Sequence, residues 1–248
     1  MIDPREFIAH LQASGVEFFT GVPDSLLKEF CACLEHVPRA GHHIISANEG
    51  GAVALALGYH LATRKVPLVY LQNSGLGNII NPLLSLADPE VYSVPLLLVI
   101  GWRGEPGVHD EPQHKKQGRV MLSMLEAMEI PHSILGPEIV DPQAALKDAL
   151  AYVRKMSAPY ALVIKKGTFQ SFAAPKVEKT EFPLSREEAI QQVIESLGER
   201  DVLISTTGMP SREVYEYRSK RGEGHQRDFL TVGGMGHASQ IALGIALQ

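Results

Sequence analysis

Short apolar runs alternate with amphipathic stretches through residues 1–165, and no other feature limits the fold so tightly. Strands are expected at 16–20, 43–46, 66–72, 94–101, 132–135 and 161–165. Helices are expected at 4–14, from about Leu26 onward, and at 50–63, 79–87, 120–128 and 142–155. The run ending at Ile100 has nothing polar from Pro95 on. A strand with no polar side chain needs cover on both faces, as parallel sheets receive. A strand followed by a helix and a second strand returns parallel to the first. The pattern therefore predicts an α/β fold with a doubly wound, mostly parallel sheet.

The pattern fails between Gly167 and Pro183, where Phe, Pro, Lys, Glu and Ser mix without a period. Ser185 followed by Glu188 then forms a capping box for a helix over 186–197. Strands at 201–205 and 229–232 and helices at 211–217 and 238–247 complete the chain. This reading gives a first domain at 1–170, a linker at 171–184 and an incomplete α/β unit of the same type at 185–248. Two strands and three helices are too few to cover a sheet. The expectation is a truncated domain, or one that a partner completes.

A net charge of −5 offers no basic surface for nucleic acid or an anionic membrane. The N-terminus lacks the apolar core of a signal peptide, and Val94–Ile100 is too short to cross a bilayer. Cys31 and Cys33 are the two cysteines; two residues apart on a helix, they point to different faces. A reducing, cytoplasmic setting follows.

Three places carry chemistry. Glu49 stands where a strand gives way to a helix of small apolar residues, and a carboxylate there is costly to bury unless something uses it. The plainer reading is an acid offsetting the helix dipole. Asn73, Ser74, Gly75 and Gly77 follow a strand end, where ligands sit in open α/β sheets. A tight turn is the plainer reading. The loop 102–118 is long and polar, and holds Arg103, His109, His114 and Lys115. A solvated charged loop is its plainer reading, and the spacing of its His and acidic residues fits no standard zinc pattern.

Six segments together resemble the thiamine-diphosphate (ThDP) dependent decarboxylases, most nearly the phosphonopyruvate and sulfopyruvate decarboxylase group. They are Gly21-Val-Pro-Asp24, Asn48-Glu-Gly-Gly-Ala52, Gln72-Asn-Ser-Gly-Leu-Gly77, Ser93-Val-Pro-Leu96, Gly101-Trp-Arg-Gly-Glu-Pro106 and Gly233-Gly-Met-Gly236. The resemblance spans the whole chain. It implies that residues 1–170 form the domain that binds the cofactor's pyrimidine. Residues 185–248 would open the domain that binds its diphosphate through Mg²⁺. That domain's Gly-Asp-Gly motif with a later Asn does not occur in this sequence, so no metal ligand is assigned.

By the same resemblance, Glu49 would hydrogen-bond the pyrimidine ring and set its tautomer, which prepares the thiazolium carbon as a nucleophile. A carboxylate held away from water suits such proton exchange. The carbonyl of Gly233 would accept from the cofactor's amino group, and Met235 would wedge the cofactor into a bent form. Thr207 and Gly208 would lie near the diphosphate, and Asn73 and Gly75 near cofactor or substrate. Asp24 would relay a proton after CO₂ leaves; otherwise it is an N-cap. Arg103, His109, His114 and Lys115 would meet the anionic tail of the substrate. The implied reaction is decarboxylation of 3-phosphonopyruvate in a homodimer or larger homo-oligomer. The alternatives are sulfopyruvate decarboxylation and a non-catalytic chain that lends its half-site to a partner.

Overall fold

A computed structural model describes residues 1–36, 41–139, 141–173 and 182–248. The chain divides into two compact units, Met1–Pro175 and Lys176–Gln248. The linker expected at 171–184 falls largely on 174–181, outside the described residues.

In the first unit the strands are β1 (Phe19–Gly21), β2 (His43–Ile45), β3 (Leu68–Gln72), β4 (Leu96–Gly101), β5 (His132–Leu135) and β6 (Pro159–Ile164). They form one sheet in the order β2-β1-β3-β4-β6-β5, with every pair parallel. The helices are α1 (Pro4–Ala13), α2 (Lys28–Leu34), α3 (Glu49–Thr63), α4 (Leu76–Pro82), α5 (Pro112–Ala127) and α6 (Pro142–Met156).

Alternation along each strand builds two cores. Leu68, Tyr70, Leu97, Val99, Leu162 and Ile164 join residues of α1, α2 and α6 on one face. Val69, Leu71, Leu98, Ile100, Ala161 and Val163 join residues of α3, α4 and α5 on the other. Every residue of β3 and β4 is buried, which the unbroken apolar runs require. Truncating one of these leucines to alanine costs about 2–5 kcal/mol, because the layers cannot close over the gap. The predicted doubly wound parallel sheet is thus present, and caps set its helices: Asp3 accepts from the Arg5 amide, Asn48 from Gly51 and Asp141 from Ala144.

Two sequence expectations are corrected. The stretch Asn73–Asn78 does not run on as a loop: a 3₁₀ turn over Asn73–Gly75 leads straight into α4. The loop 102–118 is shorter than expected, because α5 starts at Pro112 and not at Val120. Pro112 presets the first helical φ. The next five residues, Gln113 to Gln117, are mostly polar and carry no apolar period for a sequence reading to catch, although Gln and Lys favour helix. The Trp102 indole donates to the Gly118 carbonyl at 2.9 Å and ties this early part of the helix to the end of β4.

The second unit has α7 (Arg186–Glu195), β7 (Leu203–Ser205), α8 (Met209–Lys220), β8 (Asp228–Leu230) and α9 (Ala238–Ala246). The capping box forms: the Ser185 hydroxyl accepts from the Glu188 amide, and the Glu188 carboxylate accepts from the Ser185 amide. β7 and β8 pair in parallel. Among the described residues no helix is long and apolar enough to cross a membrane.

Candidate active site

The chain steps from β1 outward to β2, then back across β1 to β3. In a sheet of this kind the crevice for ligands opens at that reversal, beyond the C-terminal strand ends. Asp24 follows β1, Gln72 ends β3, Asn73 and Gly75 come next, and Gly101 ends β4 with Arg103 two residues on.

Glu49 is the first residue of α3, and is 5% exposed. Its Oε2 accepts from Asn78 Nδ2 at 2.8 Å. No described cation pairs with it. A Cβ on Gly75 would stand 2.3 Å from Oε1, so glycine there is what lets the carboxylate lie against the turn. The helix N-terminus adds favourable partial positive charge.

Asp24 is equally buried, at 5% exposure. The Ser74 hydroxyl donates to Gln72 Oε1 at 2.5 Å, and Gln72 Nε2 donates to Asp24 Oδ1 at 2.6 Å. This chain has a direction and leaves Oδ2 as the open atom. Oδ2 is buried without a protein partner, and a Cβ on Gly101 would come within 2.2 Å of it. Burial pushes the carboxyl pKa up, against the bond from Gln72, the Leu26 amide and the charge of Arg103. Asp24 does not cap α2, whose N-cap is Leu27.

Asn73 clamps the segment after β4. Its Nδ2 donates to the Arg103 carbonyl at 2.7 Å, and its Oδ1 accepts from the Arg103 amide at 3.1 Å. The Arg103 guanidinium grips Asp110 through Nε at 2.8 Å and Nη2 at 2.5 Å, and its Nη1 donates to Ser25 Oγ at 2.7 Å. Three of its five N–H groups are therefore committed, and two remain. The guanidinium holds the Asp110 carboxyl far below the usual carboxylate range. Beside Arg103 lies a cavity of about 420 Å³, whose lining includes Trp102, Val108 and Lys166 and the acids Glu29, Glu105 and Asp110.

His114 stands in the first turn of α5, half-buried, with Nδ1 buried and unpartnered. Burial and the charge of Arg103 push its pKa down. His109 and Lys115 are exposed. The structure thus gathers Glu49, Asn73 and Gly75 in one place, and Asp24, Arg103 and His114 beside them. Thr207 and Gly208 follow β7, and Gly233 and Met235 follow β8, so all four lie at the C-terminal edge of the second unit's sheet. Among the described residues no three His, Cys, Asp or Glu side chains gather as a metal site. Cys31 and Cys33 are free and buried, and burial pushes Cys31 up to about 12.

Sequence reasoning assigned no role to Gln72, Asn78 or Gly101. Gln72 had a signal: an amide closing an otherwise apolar strand must find partners inside. Asn78 had none, because its bond to Glu49 crosses 29 residues.

Residues 5–129 match the family described as thiamine pyrophosphate enzyme, N-terminal TPP binding domain. Over its full length the chain is 30% identical to a phosphonopyruvate decarboxylase of Streptomyces viridochromogenes, and it spans 64% of that relative. It is 34% identical to a sulfopyruvate decarboxylase subunit alpha of Methanococcus maripaludis, over 61% of this chain and 87% of that one. A benzoylformate decarboxylase from Polynucleobacter necessarius shares the fold, with a TM-score of 0.56 at 20% identity, covering 82% of this chain and 38% of the other.

Proposed function

Because the chain belongs to the thiamine pyrophosphate enzymes, we propose that it supplies the pyrimidine half-site for ThDP-dependent decarboxylation of a 2-oxo acid, 3-phosphonopyruvate first. Glu49 carries the reading. A buried carboxylate at a helix start, cradled by a glycine and paired with no described cation, suits a ring nitrogen as its ligand. When bound, ThDP supplies an electron sink for the C–C bond that breaks.

The chain's own residues do the rest. Glu49 holds the proton that sets the pyrimidine tautomer. Asn78 holds the Glu49 carboxylate in place. Asp24 would deliver a proton to the carbon that loses CO₂. The two remaining N–H groups of Arg103, with the cavity beside it, take the anionic tail. Thr207 and Gly208 would lie near the diphosphate, the Gly233 carbonyl would accept from the cofactor's amino group, and Met235 would hold the cofactor bent. Among the described residues no three His, Cys, Asp or Glu side chains gather, no Mg²⁺ ligand is assigned, and no step here runs through the metal. A cytoplasmic homodimer, or a larger homo-oligomer, belongs to the same reading.

Turnover of phosphonopyruvate, sulfopyruvate and pyruvate by the active assembly tests it. Phosphonopyruvate should be the best substrate, and Glu49→Gln should remove at least about two powers of ten in rate. Undiminished turnover by Glu49→Gln overturns the role of Glu49. A second reading is favoured by the similarity to a relative named as a subunit alpha: the chain lends its half-site to a separate partner. Native mass of the active species separates the two, since only the second requires a different chain in the complex.

A further inference from the structure

Four consecutive residues, 72–75, each serve a different part of the site. Gln72 bonds Asp24, Asn73 clamps the Arg103 backbone, Ser74 bonds Gln72, and Gly75 lies against Glu49. Gln72 closes β3 and is the register partner of Gly101, which closes β4. Asp24 meets both strand ends. Its Oδ1 accepts from Gln72 Nε2 at 2.6 Å, and its Oδ2 is the atom that a Cβ on Gly101 would approach to 2.2 Å. Oδ2 is buried without a hydrogen-bond partner, which buried polar atoms seldom are. While Asp24 is ionised, the Gln72 amide has a single workable orientation. Turned round, it would set Oε1 against Oδ1, two oxygens with no hydrogen between them. The Ser74 hydroxyl, donating to Oε1 at 2.5 Å, opposes that turn. With Oδ1 facing a donor, the proton that neutralises the acid has Oδ2 as its seat.

We propose that Gln72 is a positioning residue for Asp24: its amide reserves Oδ1 as an acceptor and so places the acid's proton on Oδ2. What the proton is used for rests on the decarboxylase reading; where it sits does not. In use, the Oδ2–H bond breaks as a C–H bond forms on the carbon that CO₂ left, and the electron pair of that carbanion makes the new bond. The carboxylate left behind keeps its bond from Gln72 and is reprotonated from solvent. The amide itself passes no proton, because it would have to become an imidic acid to do so. Gln72 therefore acts through Asp24. Asp24 also faces the Leu26 amide, the charge of Arg103 and that of His114. Cys31 lies near, but burial keeps its thiol neutral. None of these groups bonds Oδ2.

The test is a carboxyl titration followed by NMR on the isotope-labelled chain, with the Asp24 signal assigned by its loss in Asp24→Asn. A donor favours the ionised acid. Gln72→Met keeps the length of the side chain and removes the donor, so Asp24 should titrate higher than in the wild type. Ser74→Ala frees the amide to turn and should shift Asp24 the same way by less; it decides the matter if Gln72→Met does not fold. An unshifted or lowered Asp24 overturns the proposal. On the active assembly, Gln72→Met should lower kcat about tenfold or more while KM stays level. Asp24 must carry its proton to act, so turnover falls as pH rises through its pKa, and Gln72→Met should move that fall to higher pH. A loss of stability with an unmoved pH profile, or a raised KM with kcat level, overturns the positioning role. Should neither phosphonopyruvate nor sulfopyruvate turn over in the wild-type assembly, the decarboxylase reading falls, and the titration still decides what Gln72 does to Asp24.

Discussion

Glu49 and Asp24 are both carboxylates buried to the same degree, both pressed against a glycine whose added Cβ would crowd them, yet they are built for different work. Glu49 begins a regular helix, and its one described partner, Asn78, comes from the neighbouring helix. Asp24 sits on irregular backbone after β1, under a directed chain from Ser74 through Gln72, with Arg103 and His114 nearby. Burial alone therefore says little about role. The atom left free, and the charges around it, say more.

The widest separation should come from proton exchange at the thiazolium carbon of bound ThDP. Glu49→Gln should slow it by about two powers of ten or more, while Asp24→Asn leaves it at the wild-type rate and slows turnover instead. Deuterium exchange followed by NMR checks both, and equal losses in the two variants erase the contrast. Next come the glycines. Gly75→Ala and Gly101→Ala should each destabilise the first unit by about 1–3 kcal/mol through overpacking, read as the shift in the denaturant midpoint. Gly75→Ala should also cut cofactor binding, and an unaffected affinity would detach Gly75 from the Glu49 site.

A smaller effect separates the amide partners. Gln72→Ala leaves the Asp24 side chain without its hydrogen bond and should cost about 1–3 kcal/mol, and Asn78→Ala should cost less, because Asn78 itself is exposed. Equal costs would mean that the two carboxylates are held alike. The smallest effect is in pH. Burial raises the folded pKa of Asp24 above its unfolded value. Well below the ordinary carboxylate range both states are protonated and Asp24 contributes nothing. As pH rises through the folded pKa, the folded state must hold a buried charge and loses stability. Asp24→Asn should therefore gain more in Tm at pH 7 than at pH 3, and a gain that does not change with pH sinks the account.

The fold was legible because periodicity is local. Continuous apolar strands and amphipathic helices can be read residue by residue, and they became β3, β4 and the two cores on either side. Glu49 was legible for the same reason, since Asn48 caps α3 and places the acid in its first turn. The start of α5 was not legible, because its first residues are polar and become helical through Pro112 and the tie between Trp102 and Gly118.

The amino-acid order by itself thus determined which segments are strands and helices, that the sheet is parallel and doubly wound, and that a carboxylate opens α3. Only the tertiary structure decided that Gln72 reaches Asp24 across 48 residues, that Asn73 grips Arg103 across 30, and that Asp24 and His114 each keep one buried atom unpaired. Contacts of that range depend on which strand lies beside which, and parallel pairing brings distant strand ends to one edge that no local pattern records.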